Sequence, residues 1–207
     1  AEAMEVKIGV LALQGDFAEH IATLLKCGPG IVASEVRTLK EMEGLHGLII
    51  PGGESTVIVK LLVEFGMFDA VKGFGASGFP MLGTCAGCIM LADSIDGMPD
   101  QRTLKLADYS VCRNAYGTQV DSFEAKVIGE KEVFGDEPVN AVLIRAPMIT
   151  RAGEGTKVLA SHNNNPILLQ QGPILSCTFH PEICGDPRIH KYFVEMVRQV
   201  GKPYSSS

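Results

Sequence analysis

The first half of the chain alternates short β-rich runs with helix-like stretches, a rhythm that few folds accept. The runs are "VKIGVLAL", "GIVASEV", "HGLIIPGG" and "FPMLGTC", and helix-like stretches at 17–26, 56–65, 68–74 and 86–92 lie beside them. Strand and helix in alternation imply an α/β protein whose mostly parallel sheet is covered on both faces. Beyond residue 122 the runs "SFEAKVIG", "NAVLIRA", "TKVLAS", "PILLQQ" and "PILSCTF" follow one another with turns, so an antiparallel extension is expected over about 122–178 before a last helix at 187–200. No repeat, linker or low-complexity segment breaks the 207 residues. A chain of this length suits one domain with a sizeable core, here 1–207, with loose ends expected at about 1–5 and 202–207.

Composition removes several classes of function. The net charge of −6 argues against a nucleic-acid binder, which needs a basic patch or stripe. The apolar stretch 79–92 is shorter than the roughly 20 residues of a membrane span, and Pro80 and Gly83 interrupt it. The opening "AEAMEVKIGV" has neither the basic start nor the apolar middle of a signal peptide. Six cysteines in such a chain read as reduced cytosolic thiols rather than a disulfide framework, so a cytoplasmic location is expected.

In a doubly covered parallel sheet, ligands meet the carboxyl ends of the strands. Three predicted strand ends carry unusual residues: "LIIPGGEST", "MLGTCAGC" and "SCTFHPE". In "GTCAG" the pattern Gly83-x-Cys85-x-Gly87 supplies the small neighbours that a nucleophile needs on a sharp strand-to-helix turn. A helix N-terminus also favours negative charge, which suits a thiolate. Cys88 follows one helical turn later and would point into the core. Alone, the C-x-x-C pair reads first as buried packing, with redox and zinc sharing most of the remaining readings. Zinc needs a second ligand pair at similar spacing, and Cys177 and Cys184 are too far apart for that.

"PGGEST" places two glycines where backbone N–H groups can approach an oxyanion or phosphate, or where a turn simply caps the next helix. It lacks the Lys of a phosphate-binding P-loop. "GFGASG" at 73–78 matches G-x-G-x-x-G only formally, since it follows a helix and precedes a strand. In "FHPE", His180 and Glu182 would project to the same side of an extended chain, a base with its own orienting carboxylate. His20, His46 and His190 fall in or beside helical stretches and read as structural, and His162 reads as a turn residue.

These motifs in this order resemble the class I, triad-type glutamine amidotransferases, and within them the glutaminase subunits of pyridoxal phosphate synthases. "IGVLALQGDFAEH", "PGGEST", "GTCAG", "CRNAYGTQ", "LIRAP" and "FHPEI" carry the likeness, which runs from about Lys7 to Val200. The resemblance implies a three-layer, flavodoxin-like fold. It implies Cys85 as nucleophile, His180 as acid and base and Glu182 as its orienter, with Gly53 and Ala86 supplying the oxyanion hole. It assigns glutamine binding to Gly53, Glu54, Ser55, Arg113, Ile144 and Arg145, the last by side chain or backbone. Arg113 suits a substrate carboxylate, although an isolated Arg is otherwise read as a solvated surface charge.

The resemblance further implies a glutaminase with no metal and no organic cofactor. Its ammonia would pass to a barrel-shaped pyridoxal phosphate synthase subunit in a hetero-oligomer, with Gln14 taking part in coupling to that partner. Two positions depart from the pattern, Cys88 in place of an aliphatic residue and Thr118 in place of a basic one. A free-standing γ-glutamyl hydrolase would share the elbow and triad without "RNAYG" or "LIRAP". A C-x-x-C redox protein would leave "PGGEST" and "HPE" unexplained, and a non-catalytic binding subunit is expected to lack one of Cys85, His180 and Glu182.

Overall fold

A computed structural model describes residues 4–113, 124–127, 129–143 and 145–207. The chain runs β1 (Val6–Leu11), α1 (Phe17–Leu25), β2 (Ile31–Val36), α2 (Leu39–Met42), β3 (Gly47–Ile50), α3 (Ser55–Glu64), α4 (Phe68–Ala76), β4 (Met81–Thr84) and α5 (Ala86–Leu91). It continues through β5 (Ser94–Ile95), β6 (Tyr109–Cys112), β7 (Glu124–Val127), α6 (Lys131–Phe134), β8 (Val139–Val142) and β9 (Met148–Ala152). β10 (Lys157–His162), β11 (Asn165–Gln171), β12 (Ile174–Cys177) and α7 (Arg188–Val200) complete it.

The main sheet has seven strands in the order β10-β11-β12-β4-β3-β1-β2. Its pairs β1–β2, β1–β3, β3–β4 and β4–β12 are parallel, and β11 and β10 add antiparallel strands at one edge. The expected α/β architecture, a mostly parallel sheet with an antiparallel extension, is therefore present.

The extension is narrower than expected. β7 pairs with β8 in a separate two-stranded sheet, and β9 joins β5 and β6 in a third. β5 and β6 are short and interrupted by polar residues, which hides their alternation: Ser94 and Ser110 face each other with their Oγ atoms 2.8 Å apart. His162 ends β10 rather than lying in the turn beyond it. Among the described residues no helix is long and apolar enough to cross a membrane.

The sheet separates two apolar layers, and the period-two alternation of its strands decides which residue enters which. Leu48 and Ile50 of β3 face the layer that holds Ile58 of α3, Phe74 of α4 and Cys88 of α5. Ile49, between them, faces the opposite layer with Leu24 of α1 and Phe193 and Val197 of α7. β3 is buried along its whole length, which is why its sequence is continuously apolar. α7 ends at Gly201 in the left-handed conformation, φ 60°, where glycine carries no steric penalty.

The C-terminal stretch 202–207 was expected to hang loose, but Tyr204 is anchored. Its N–H donates to Leu45 O at 2.8 Å, its carbonyl accepts from Gly44 N at 2.8 Å, and its ring lies 5.1 Å from that of Phe74 and 5.5 Å from that of Phe79. Tyr204→Ala is expected to lower stability by about 1–2 kcal/mol through lost ring burial and stacking. Urea denaturation measures this, and a change below about 0.5 kcal/mol would mean that the tail does not hold the fold.

Candidate active site

Four neighbouring strands, β12, β4, β3 and β1, end on the same side of the sheet, and each delivers one segment of the site. Cys85 follows β4. Its N–H donates to Cys177 O at 2.9 Å, so the ladder with β12 continues to the turn itself. Its backbone sits at φ 51°, ψ −104°, a strained conformation for a residue with a side chain. The flanking glycines make the turn possible: a Cβ on Gly83 would stand 2.5 Å from Gly87 O, and one on Gly87 would stand 2.1 Å from Ile50 O.

His180 and Glu182 follow β12. His180 Nδ1 donates to Glu182 Oε1 at 2.8 Å, and the Glu182 carboxylate lies behind the ring. The route to this pairing differs from the expected extended chain. Ile183 N–H donates to His180 O at 3.2 Å, so the segment is a turn, and Pro181 within it brings the two side chains together. A Cβ on Gly52 would meet His180 Cε1 at 2.4 Å, so the loop after β3 approaches the ring closely only because it is glycine there.

The loop after β1 is laid onto the loop after β3. Glu54 N–H donates to Gln14 Oε1 at 2.8 Å, and Asp16 N–H donates to Gly52 O at 3.0 Å. Gly15 lies between them at φ 104°, where a Cβ would stand 1.9 Å from Gly52 O. Arg113 reaches the same region from the end of β6. It donates to Glu54 Oε1 at 3.1 Å and to Gln101 Oε1 at 2.6 Å, and Gln101 Nε2 in turn donates to Ser55 Oγ at 2.9 Å.

Together these segments enclose an open cavity of about 510 Å³, within the size range of small-molecule sites. Gln14, Gly53, Glu54, Ser55, Cys85, Ala86, Arg113, Arg145 and His180 all line it, so the structure brings the sequence-predicted residues to one place. Glu182 does not line the cavity but sits behind His180, 6% exposed. Arg145 contributes a backbone oxygen 4.0 Å from Cys85 Sγ. Ile144 and Thr118 lie outside the described residues. Cys88 is fully buried beneath the elbow, and burial pushes its thiol up to about 12.

Sequence reasoning missed what lies behind His180 and Glu182. Asp16 Oδ2 is 3.5 Å from His180 Nδ1, and His20 Nε2 is 3.5 Å from Glu182 Oε2. His20 also contacts Thr84 Oγ1 at 3.0 Å and His190 Nε2 at 2.9 Å, and both rings are fully buried. The available signal was the Asp16-x-x-x-His20 spacing, which puts both residues on one side of the first turn of α1. Gln101 had no signal, because it lies in a loop. Donor atoms of Asp16, His20 and Glu182 come within 4.8 Å of one another, close enough for a cation. His20 Nε2 and the other Glu182 oxygen already have hydrogen-bond partners, however.

The electrostatics follow from this crowding. Burial disfavours the His180 imidazolium, but the Asp16 carboxylate, the Cys85 sulfur and Glu182 outweigh it and raise its pKa to about 12. Burial of Glu182, reinforced by Asp16 and opposed by His180, pushes that carboxyl up to about 8. Asp16 is held well below the carboxylate range by His180 and Glu182 despite its own burial. Burial lowers His20 to about 4, so it is neutral at physiological pH.

The fold and site place the chain among α/β proteins whose mostly parallel sheet carries a cysteine on a glycine-flanked elbow and a His–Glu pair at the adjoining strand end. A solved structure described as a glutamine amidotransferase superposes with a TM-score of 0.84 at 47% identity, covering 92% of this chain and 98% of that one. The sequence model of the SNO glutamine amidotransferase family matches residues 10–199, and the chain belongs to that family. Two curated relatives are named pyridoxal 5'-phosphate synthase subunit PdxT. The one from Pelotomaculum thermopropionicum is 48% identical over 197 residues, 95% of this chain and 98% of its own length. The one from Thermus thermophilus is 50% identical over 190 residues, 91% of this chain and 96% of its own length.

Gly87→Ala is expected to lower stability by about 1–3 kcal/mol, because the new methyl meets a backbone carbonyl that cannot turn aside. It is also expected to displace the elbow. Thermal unfolding together with the alkylation rate of Cys85 reads both effects, and unchanged values would show that the elbow tolerates a Cβ there.

Proposed function

We propose that the protein hydrolyses the side-chain amide of L-glutamine to glutamate and ammonia, and passes the ammonia to a barrel-shaped synthase subunit that makes pyridoxal phosphate. The observation that carries the chemistry is the strained Cys85 elbow opening into the same cavity as His180, whose Nδ1 is fixed by Glu182 at 2.8 Å. Because Nδ1 is engaged, His180 presents Nε2 to the thiol. The Cys85 proton moves to Nε2, and the thiolate sulfur attacks the amide carbon of glutamine.

The resulting oxyanion needs donors that are in place before the reaction. The Ala86 N–H suits this because it opens α5 and has no partner within the helix. The Gly53 N–H is the second donor in this reading. His180 then gives its proton to the departing nitrogen, ammonia leaves and a thioester remains on Cys85. Water activated by His180 attacks that thioester, releases glutamate and restores the thiol. Arg113, steadied by Glu54 and Gln101, is placed to take the substrate carboxylate.

The names of the curated relatives support the synthase partner. Gln14 supports a coupling route, since it bonds Glu54 N–H and its Oε1 is 2.4 Å from where a Cβ on Gly53 would stand. A partner that rearranges the end of β1 would therefore act on the oxyanion loop through Gln14.

The test is glutamate release from glutamine with and without a pyridoxal phosphate synthase subunit. Cys85→Ala is expected to bring release to background. Cys88→Ala is expected to keep most of it, because Cys88 is buried packing rather than half of a redox pair. Release that is indifferent to the partner would instead support a free-standing hydrolase. Equal loss from both cysteine variants in folded protein would overturn the packing role of Cys88.

A further inference from the structure

His180 Nδ1 faces two carboxyl groups, and a triad uses one. Glu182 Oε1 lies 2.8 Å away and Asp16 Oδ2 lies 3.5 Å away. Behind that contact, Glu182 Oε2 and both oxygens of Asp16 are buried without a hydrogen-bond partner. Donor atoms of the two acids lie within 4.8 Å of one another, where two ionised carboxylates repel, and three orphaned acceptor oxygens add a desolvation penalty. A single proton held between the two acids relieves both problems.

We propose that Asp16 is a positioning residue whose carboxyl shares one proton with Glu182, so that the two acids together present one negative charge to His180 Nδ1. The inference rests on the triad reading of Cys85 and His180. The titratable groups facing the pair among the described residues are His180, Cys85, His20, His190 and Cys177 of β12, whose buried thiol is pushed up and brings no positive charge. His180 lies in front and Cys85 beyond it, at the β4–α5 elbow. His20 of α1 packs behind, with Nε2 3.5 Å from Glu182 Oε2 and 3.9 Å from Asp16 Oδ1, and His190 of α7 contacts His20. Both histidines are fully buried and burial disfavours their charged forms, so neither brings a positive charge to neutralise a second carboxylate. The opposite shifts of the two acids, Asp16 down and Glu182 up, agree with a pair that loses its protons in two well-separated steps.

The arrangement has a consequence for the nucleophile. When the Cys85 proton moves to His180 Nε2, the imidazolium is balanced by one charge spread over two acids, and the shared proton stays where it is. Removing either acid leaves one carboxylate facing His180. Removing both leaves none.

The first readout is the carboxyl carbon signal of Glu182 in protein labelled with 13C-glutamate, assigned by its loss in Glu182→Gln and followed through a pH titration. In wild type Glu182 is expected to be protonated at neutral pH. In Asp16→Asn the neighbouring negative charge is gone, so its midpoint is expected to fall by about one pH unit or more. The second readout is Cys85 alkylation by iodoacetamide against pH in wild type, Asp16→Asn, Glu182→Gln and the double variant, each checked for folding by circular dichroism. Each single variant is expected to keep part of the wild-type alkylation rate at neutral pH. The double variant is expected to lose it, a loss greater than the two single effects combined.

A Glu182 already ionised at neutral pH in wild type, or a Glu182 midpoint unmoved by Asp16→Asn, would overturn the proposal. So would a Glu182→Gln variant as unreactive as the double variant. The triad reading fails differently, through a wild-type Cys85 that alkylates only as an ordinary thiol.

Discussion

Parallel pairing of β12 with β4, of β4 with β3 and of β3 with β1 is the constraint on which the site depends. Parallel neighbours finish on the same side, so the residues that follow them converge however far apart they lie in the chain. The decisive step is the insertion of the last strand, β12, beside β4. It brings His180 and Glu182 against Cys85 and extends the ladder to the Cys85 N–H itself. Cys85, His180 and Glu182 thus follow directly on buried strands of the sheet, and their geometry shares the rigidity of the core.

Convergence alone leaves the loops too far apart for chemistry, and missing side chains close the gap. Gly15 against Gly52, Gly52 against His180 and Gly87 against Ile50 are approaches in which a Cβ would stand 1.9 to 2.4 Å from a neighbouring atom. With the chains this close, the loop after β1 hydrogen-bonds the loop after β3 at Gln14 and Asp16. The loop after β3 and His180 are therefore both held by the loop after β1, with Gln14 touching the first and Asp16 the second. A displacement of β1's end is felt at both.

Much of this was legible in the sequence because it follows from local chemistry. The continuous apolar run of β3, the alternation of strand and helix, and the glycines on either side of Cys85 each state their structural role within a few residues. What was hidden depends on partners distant in the chain. β6 shows too little alternation to announce itself, and its pairing with β9 follows from the tertiary fold. Tyr204 looks like part of a polar tail until Phe74 and Phe79 supply its contacts. His20 and His190 read as ordinary helical histidines because their hydrogen bonds reach across the sheet layer to Thr84 and to each other.

The buried histidines also explain why so polar a cluster is compatible with an apolar layer. α1 and α7 otherwise contribute Leu24, Phe193, Val194 and Val197 to that layer, and a charged group among them would be severely penalised. A neutral imidazole both donates and accepts, so His20 bonds His190 Nε2 through one nitrogen and Thr84, the residue before Cys85, through the other. The polarity then decreases stepwise, from His180 through the two acids to a neutral imidazole pair and finally to hydrocarbon. Charge is thus left behind before the apolar layer begins, which lets a polar cluster stand directly on a close-packed core.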